Sequence, residues 1–109
     1  MSADLLPPGA VVRVSRGNFD PARFAEAQEM SVAIGRYLIP AIKQLPGLIS
    51  YYAGASPEGS MVHVSVWESD EHAQQMSRLK EMIVDAAQEA EQAGVTFIPI
   101  VNYPIDWAI

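Results

Sequence analysis

The stretch MVHVSVWESDEHAQQM, residues 61–76, decides the fold. Residues 61–67 alternate and carry β-branched side chains at every second position, which predicts a strand. Ser69, followed by Asp70 and Glu71, has the makings of a helix N-cap with acids in the first turn. A strand therefore ends at Trp67 and a helix starts almost at once. The strand places Val62, Val64 and Val66 on one side and Met61, His63, Ser65 and Trp67 on the other. Neither row is polar enough to face water along its length. Trp67, at the join, either lines a site or plugs the end of a core.

The rest of the chain reads outward from this join. Residues 1–9 form a tail closed by Pro7, Pro8 and Gly9, and residues 10–109 form one domain. AVVRVSR (10–16) predicts the first strand. Asp20 followed by Pro21 starts a helix, because proline at the first helical position forgoes an N–H that has no partner anyway. Phe24, Ala27, Ser31, Ile34, Leu38 and Ala41 form its apolar stripe. Pro40 predicts a kink or short break before a last turn to Gln44. LISYYAGA (48–55) is the second strand, and SPEGS joins it to the third as a hairpin centred near Glu58. That centring sets Tyr51 opposite Ser65, and a one-residue shift in register would exchange it with Tyr52. The second helix is predicted to run unbroken from Ser69 to about Ala93, with Ala73, Met76, Leu79 or Lys80, Ile83, Ala87 and Ala90 inward and Gly94 as its stop. VTFIPIVNY (95–103) is the fourth strand, and Pro99 marks it as an edge strand or a bulged one. The order β-α-β-β-α-β is that of an α+β, ferredoxin-like fold: one four-stranded antiparallel sheet with helices on one face.

Composition narrows the function. Half of the 109 residues are hydrophobic and 18% are charged, which is a folding composition. No cysteine is present, so disulfides, thiolate catalysis and cysteine metal sites are excluded, and a reducing cytoplasm is compatible. The net charge of -6 and the lack of any basic cluster argue against nucleic acid as a partner. No apolar run is long enough to span a bilayer, and the N-terminus lacks the pattern of a signal peptide. The expectation is a cytoplasmic protein.

Helices can cover only one face of the sheet, yet both faces read as apolar. Phe97, Pro99, Val101 and Tyr103 alternate with Ile98, Ile100 and Asn102 in the fourth strand, as the valines do with the Met61–Trp67 row in the third. A sheet apolar on both sides needs two covers. Covering the second removes several hundred Å² of apolar surface, worth on the order of 10 kcal/mol before the cost of association. The expected cover is a second copy of the chain: a homodimer, sheet on sheet. The tail carrying Ile105, Trp107 and Ile109 is expected to reach the partner or wrap the edge strand.

The strand ending VWES before an acidic helix start, and the LPGLISYY lead-in to the second strand, resemble the antibiotic biosynthesis monooxygenase family. The order and spacing of elements agree from about Val11 to Val101. The resemblance implies a dimeric α/β barrel whose members oxidise aromatic polyketides or quinols with no metal or flavin; some relatives degrade haem. It also implies that the Trp67 side of the third strand faces the helices and a pocket there. Hydrophobicity alone would instead put the valines under the helices. Catalytic members tend to carry an asparagine on the first strand, where this chain has Val12 or Arg13. Haem-degrading relatives carry a histidine about ten residues past the tryptophan, where this chain reads MSRL.

Each candidate residue has a functional and a packing reading. Trp67 can stack on a flat substrate or fill the core. His63, on the same side, is the candidate catalytic base, against a hydrogen-bonded core histidine. Ser65 and Tyr51 share that face as candidate substrate contacts. Arg13 can hold an anionic or carbonyl group, or pair with an acid of the second helix or of the partner. Asn102 can bind a substrate oxygen or merely end a strand. His63, His72 and Glu68 match no metal motif, so no metal is expected, and the resemblance implies no cofactor. Two functions fit: a cofactor-independent monooxygenase acting on a flat oxygenated aromatic, or a non-catalytic dimeric binding or structural relative.

Overall fold

The computed structural model describes residues 6–109. Strand β1 (Val11–Asn18) leads through a 3-10 turn (Pro21–Arg23) into helix α1 (Phe24–Lys43). Strands β2 (Leu48–Ser56) and β3 (Ser60–Trp67) form a hairpin. Helix α2 (Asp70–Ala73), a 3-10 segment (Gln74–Arg78), a wide π turn (Glu81–Ala86) and helix α3 (Ala87–Gln92) return the chain to β4 (Thr96–Pro104). The four strands lie antiparallel in the order β2-β3-β1-β4. This is the α+β ferredoxin-like arrangement that the element order predicts. Residues 1–5 of the expected tail lie outside the described residues.

The local signals work as read. Asp20 Oδ1 accepts from the Ala22 N–H at 2.9 Å, and Ser69 Oγ accepts from the His72 N–H at 3.2 Å. Gly47 adopts φ +84, and its carbonyl accepts from the Glu68 N–H at 2.8 Å, which ties the α1–β2 turn to the end of β3. A Cβ at Gly47 would lie 2.3 Å from the His72 ring, so both the conformation and the space require glycine.

Register decides what faces the helices. Val11, Arg13, Ser15 and Gly17 of β1 pair with Trp67, Ser65, His63 and Met61 of β3. Tyr51 lies opposite Ser65, as the hairpin length requires. Met61 and Trp67 join Val11, Met30, Ile34 and Leu38 in the core under the helices. The valine row is on the other face. The large side chains fill the gap between sheet and helices; the short valines pave the opposite side.

That opposite side is apolar and open. Tyr52 is 66% exposed, Val101 45% and Tyr103 52%. Strand β4 is at the sheet edge, and its pairing with β1 shifts between Val14 and Arg16, a bulge next to Pro99. The shift changes the simple alternation expected for β4. Phe97 pairs with Gly17 and Asn102 with Arg13, so both belong to the helix side, while Ile98, Val101 and Tyr103 share the open one. At the C-terminus the Ile105 N–H donates to the Ala10 carbonyl at 3.2 Å, and beyond it Trp107 and Ile109 are exposed.

Two helix expectations need correction. Helix α1 continues through Pro40 to Lys43 without a break. Pro40 is on the exposed side of the helix, so water can satisfy the carbonyl one turn earlier that loses its N–H. The second helix is not continuous. At Leu79 the backbone turns extended (φ -80, ψ 113), and the chain re-enters helix through bonds from the Met82 and Ile83 N–H groups to the Leu79 carbonyl. The break resets the inward stripe to Ala73, Met76, Ala86, Ala90 and Ala93 and leaves Ile83 half exposed.

Candidate functional site

The break at Leu79 lifts the second helical segment from the sheet and leaves a cavity of about 360 Å³ between them. Met30 and Ile34 from α1, Met76 and Met82 from the returning segment, and Met61 and Phe97 from the sheet supply much of its wall. Methionines adapt their shape to irregular guests, and the wall is almost wholly apolar. Arg13, Ser15 and His63 bring the sheet's polar groups to it. A second cavity of about 550 Å³ lies across α1, over β2, and His63 and Ile34 border both. His63 thus stands where the two spaces meet.

Tyr51 and His63 form a pair. The phenol oxygen and His63 Nδ1 are 2.6 Å apart, and the rings meet edge to face with centroids 5.5 Å apart. The bond ties up Nδ1 and leaves Nε2 as the ring nitrogen available to a ligand. Burial, and next the positive charge of Arg13, hold the His63 imidazole below its ordinary pKa. Burial raises the Tyr51 phenol well above its usual value, with Arg13 opposing. At neutral pH the pair is therefore an uncharged phenol and an uncharged imidazole. When Nδ1 carries the proton and donates to the phenol oxygen, Nε2 has a free lone pair and can act as a base.

Arg13 is 5% exposed, and burial lowers the pKa of its guanidinium, with Tyr51 opposing. Its head borders cavity space, so its burial is less severe than in a fully packed core. No carboxylate among the described residues forms an ion pair with it. The pairing with an acid of the second helical segment weighed from the sequence is not found among the described residues.

Trp67 and Ser65 belong elsewhere. Trp67 is fully buried and its Nε1–H donates to Ser65 Oγ at 2.8 Å. Neither borders either cavity. The expectation that they form a substrate wall is corrected: Trp67 plugs the end of the core, and Ser65 satisfies its one donor. Asn102 stands at a recess beside Arg13, and its Nδ2 donates to Asp70 Oδ1 at 3.1 Å. His72 is engaged at the N-cap through Ser69, with Oγ and Nδ1 2.8 Å apart, and among the described residues no three His, Asp or Glu side chains lie close enough to hold a metal ion.

The sequence reading had not joined Tyr51 to His63. The signal was present in the hairpin register, which sets Tyr51 opposite Ser65 and hence diagonal to His63 on the same face.

Known structures share this architecture. SnoaB, a cofactor-independent oxygenase from Streptomyces nogalater, superposes with a TM-score of 0.59 at 15% identity over 93% of this chain and 97% of its own. The monooxygenase from the gene ActVA-Orf6 of Streptomyces coelicolor, solved with nanaomycin D, gives 0.61 at 21% identity over 94% and 92%. A Deinococcus radiodurans protein provisionally named as an antibiotic biosynthesis monooxygenase gives 0.68 at 18% identity over 91% and 95%. The chain has the fold of the antibiotic biosynthesis monooxygenases. At these identities the likeness is one of fold. No family profile matches the sequence, and no curated protein does. No helix among the described residues is long and apolar enough to cross a membrane.

Proposed function

We propose that the chain is a cytoplasmic member of the antibiotic biosynthesis monooxygenases and oxidises a flat, oxygenated aromatic of quinol or polyketide type without a cofactor. The observation that carries this reading is His63, bonded to Tyr51 and bordering an apolar cavity between sheet and helices, in the fold that SnoaB also has. His63 Nε2 takes the acidic proton of the substrate. The resulting anion passes an electron to dioxygen, and the two radicals join to form a carbon–oxygen bond. The peroxide then loses water, so a ring methylene becomes a carbonyl: one oxygen atom enters the product and the other leaves as water. The four electrons come from the substrate. The apolar wall strips water from the anion and raises its reducing power.

Oxygen consumption with a panel of anthrones and hydroquinones tests the reading. The expected result is uptake with at least one of them and a single atom of heavy-isotope dioxygen in the product. No uptake with any of the panel favours the second reading, a non-catalytic binding protein. That reading draws on the first strand, where Val12 and Arg13 stand in place of the asparagine usual in catalytic members.

The working form is a homodimer joined through the open sheet face and the C-terminal tail. Tyr52, Val101 and Tyr103 leave a contiguous apolar face in water, with Trp107 and Ile109 beyond it, and such a face is rare on a monomer. Sedimentation at micromolar concentration should give twice the 11.9 kDa chain mass. A well-folded single chain would refute the assembly.

A further inference from the structure

We propose that Arg13, beside Asn102, forms an acid-binding end to the cavity, and that the ligand is an aromatic acid whose carboxylate lies on Arg13. A guanidinium stays charged in a protein, and one so nearly buried needs an acceptor. Among the described residues Arg13 forms no side-chain hydrogen bond or ion pair. The carboxylate that borders the same recess, Asp70, accepts from Asn102 Nδ2 and from Gln74 Nε2, each at 3.1 Å, and forms no ion pair with Arg13. The other polar groups nearby on the sheet carry no charge: Tyr51 and His63 are bonded to each other, Ser65 accepts from Trp67, and Ser15 borders the cavity. The charge therefore has no partner among the described residues.

Asn102 supplies the second observation. It pairs with Arg13 in the β1–β4 register, and its Oδ1 is buried without a donor. Turning the amide over would set that oxygen against Asp70, so the orientation is fixed by its neighbour. The recess beside Arg13 is thus lined by an amide of fixed orientation, and a ligand carboxylate there takes the guanidinium fork. The rings then extend over the sheet toward His63. Arg13 and His63 are diagonal neighbours across the β1–β3 pair, a separation of roughly 7–8 Å, about the width of a fused two-ring system.

This assignment uses the same cavity as the proposed oxygenase but does not depend on turnover. Calorimetric titration of the full chain with 3-hydroxy-2-naphthoate and with its methyl ester tests it. The acid is expected to bind at least tenfold tighter than the ester. In Arg13→Met the preference for the acid over the ester should vanish, and the ligand-free variant should melt no lower than the parent. Arg13→Lys, which keeps the charge but loses the fork, should keep only part of the preference and guards against a misfolded methionine variant. Equal binding of acid and ester overturns the proposal, as does an Arg13→Met variant that keeps the preference, or no binding of the acid at millimolar concentration. Tight binding of the acid with no oxygen uptake on any substrate refutes the oxygenase and leaves this site intact. Uptake on neutral hydroquinones with no preference for the acid does the reverse.

Discussion

Trp67→Ala should cost a large share of the stability of the domain, with the melting temperature falling by roughly 12 °C or more. Trp67 is fully buried at the end of the core, where Val11 lies opposite it across the sheet. Truncating a buried tryptophan to alanine typically costs about 3–5 kcal/mol, from lost burial and from the void left behind. A domain of this size has only about 5–15 kcal/mol in total, and each kcal/mol is worth about 4 °C or more in melting temperature. The indole also occupies the Ser65 hydroxyl, and alanine leaves that group buried with its partner gone. Trp67→Phe keeps most of the volume and should lose much less. Thermal melts followed by circular dichroism distinguish this plug from a cavity wall. A wall residue cut to alanine would enlarge the cavity and weaken ligand binding with a shift of only a few degrees, and that outcome would refute the plug. Fluorescence offers a second check if Trp107, which is 77% exposed, is first changed to phenylalanine. Trp67 should then resist quenching by acrylamide.

Trp67 also shows what could and could not be read from the chain. Strand periodicity, the Asp20–Pro21 and Ser69 caps and the glycine turns gave the element order, and the hairpin length gave the Tyr51–Ser65 register. These are local signals, and the structure keeps them. The side of β3 that meets the helices was not local. Valines and the Met61–Trp67 row are both apolar, and only the resemblance chose between them. The break at Leu79 escaped because nothing in MSRLKEMIV stops a helix: no proline or glycine lies there. Its trace is a phase slip. Met76 and Ala86 are both buried, yet ten residues on an ideal helix do not return to the same face. The cavity depends on that slip, so it was out of reach as well. Arg13 was recognised as an anion holder, but the lack of a partner acid is a fact of three dimensions.

His63→Gln should lower the rate on any substrate the parent oxidises by about a hundredfold or more, the usual contribution of a positioned general base. Glutamine matches the size and can still bond to Tyr51, but it cannot take up a proton at neutral pH. Tyr51→Phe should cost less, because it frees the imidazole to choose either tautomer without removing the base. The pH profile carries a sharper signature. Burial and Arg13 hold the imidazole below its ordinary 6.5, so the base stays unprotonated through the neutral range. The acid limb of the rate should therefore lie below pH 6.5 and vanish from the residual activity of His63→Gln. Stability follows the same sign. The unfolded chain binds the proton more readily than the folded one, so His63 favours unfolding as pH falls below its unfolded value near 6.5 and toward its lower folded one. Above pH 6.5 that penalty is absent. Melts of the parent should drop between pH 7 and pH 5 by more than melts of His63→Gln. Should His63→Gln keep the parent's rate and acid limb, the proton is taken by another group and His63 serves only to hold Tyr51 in place.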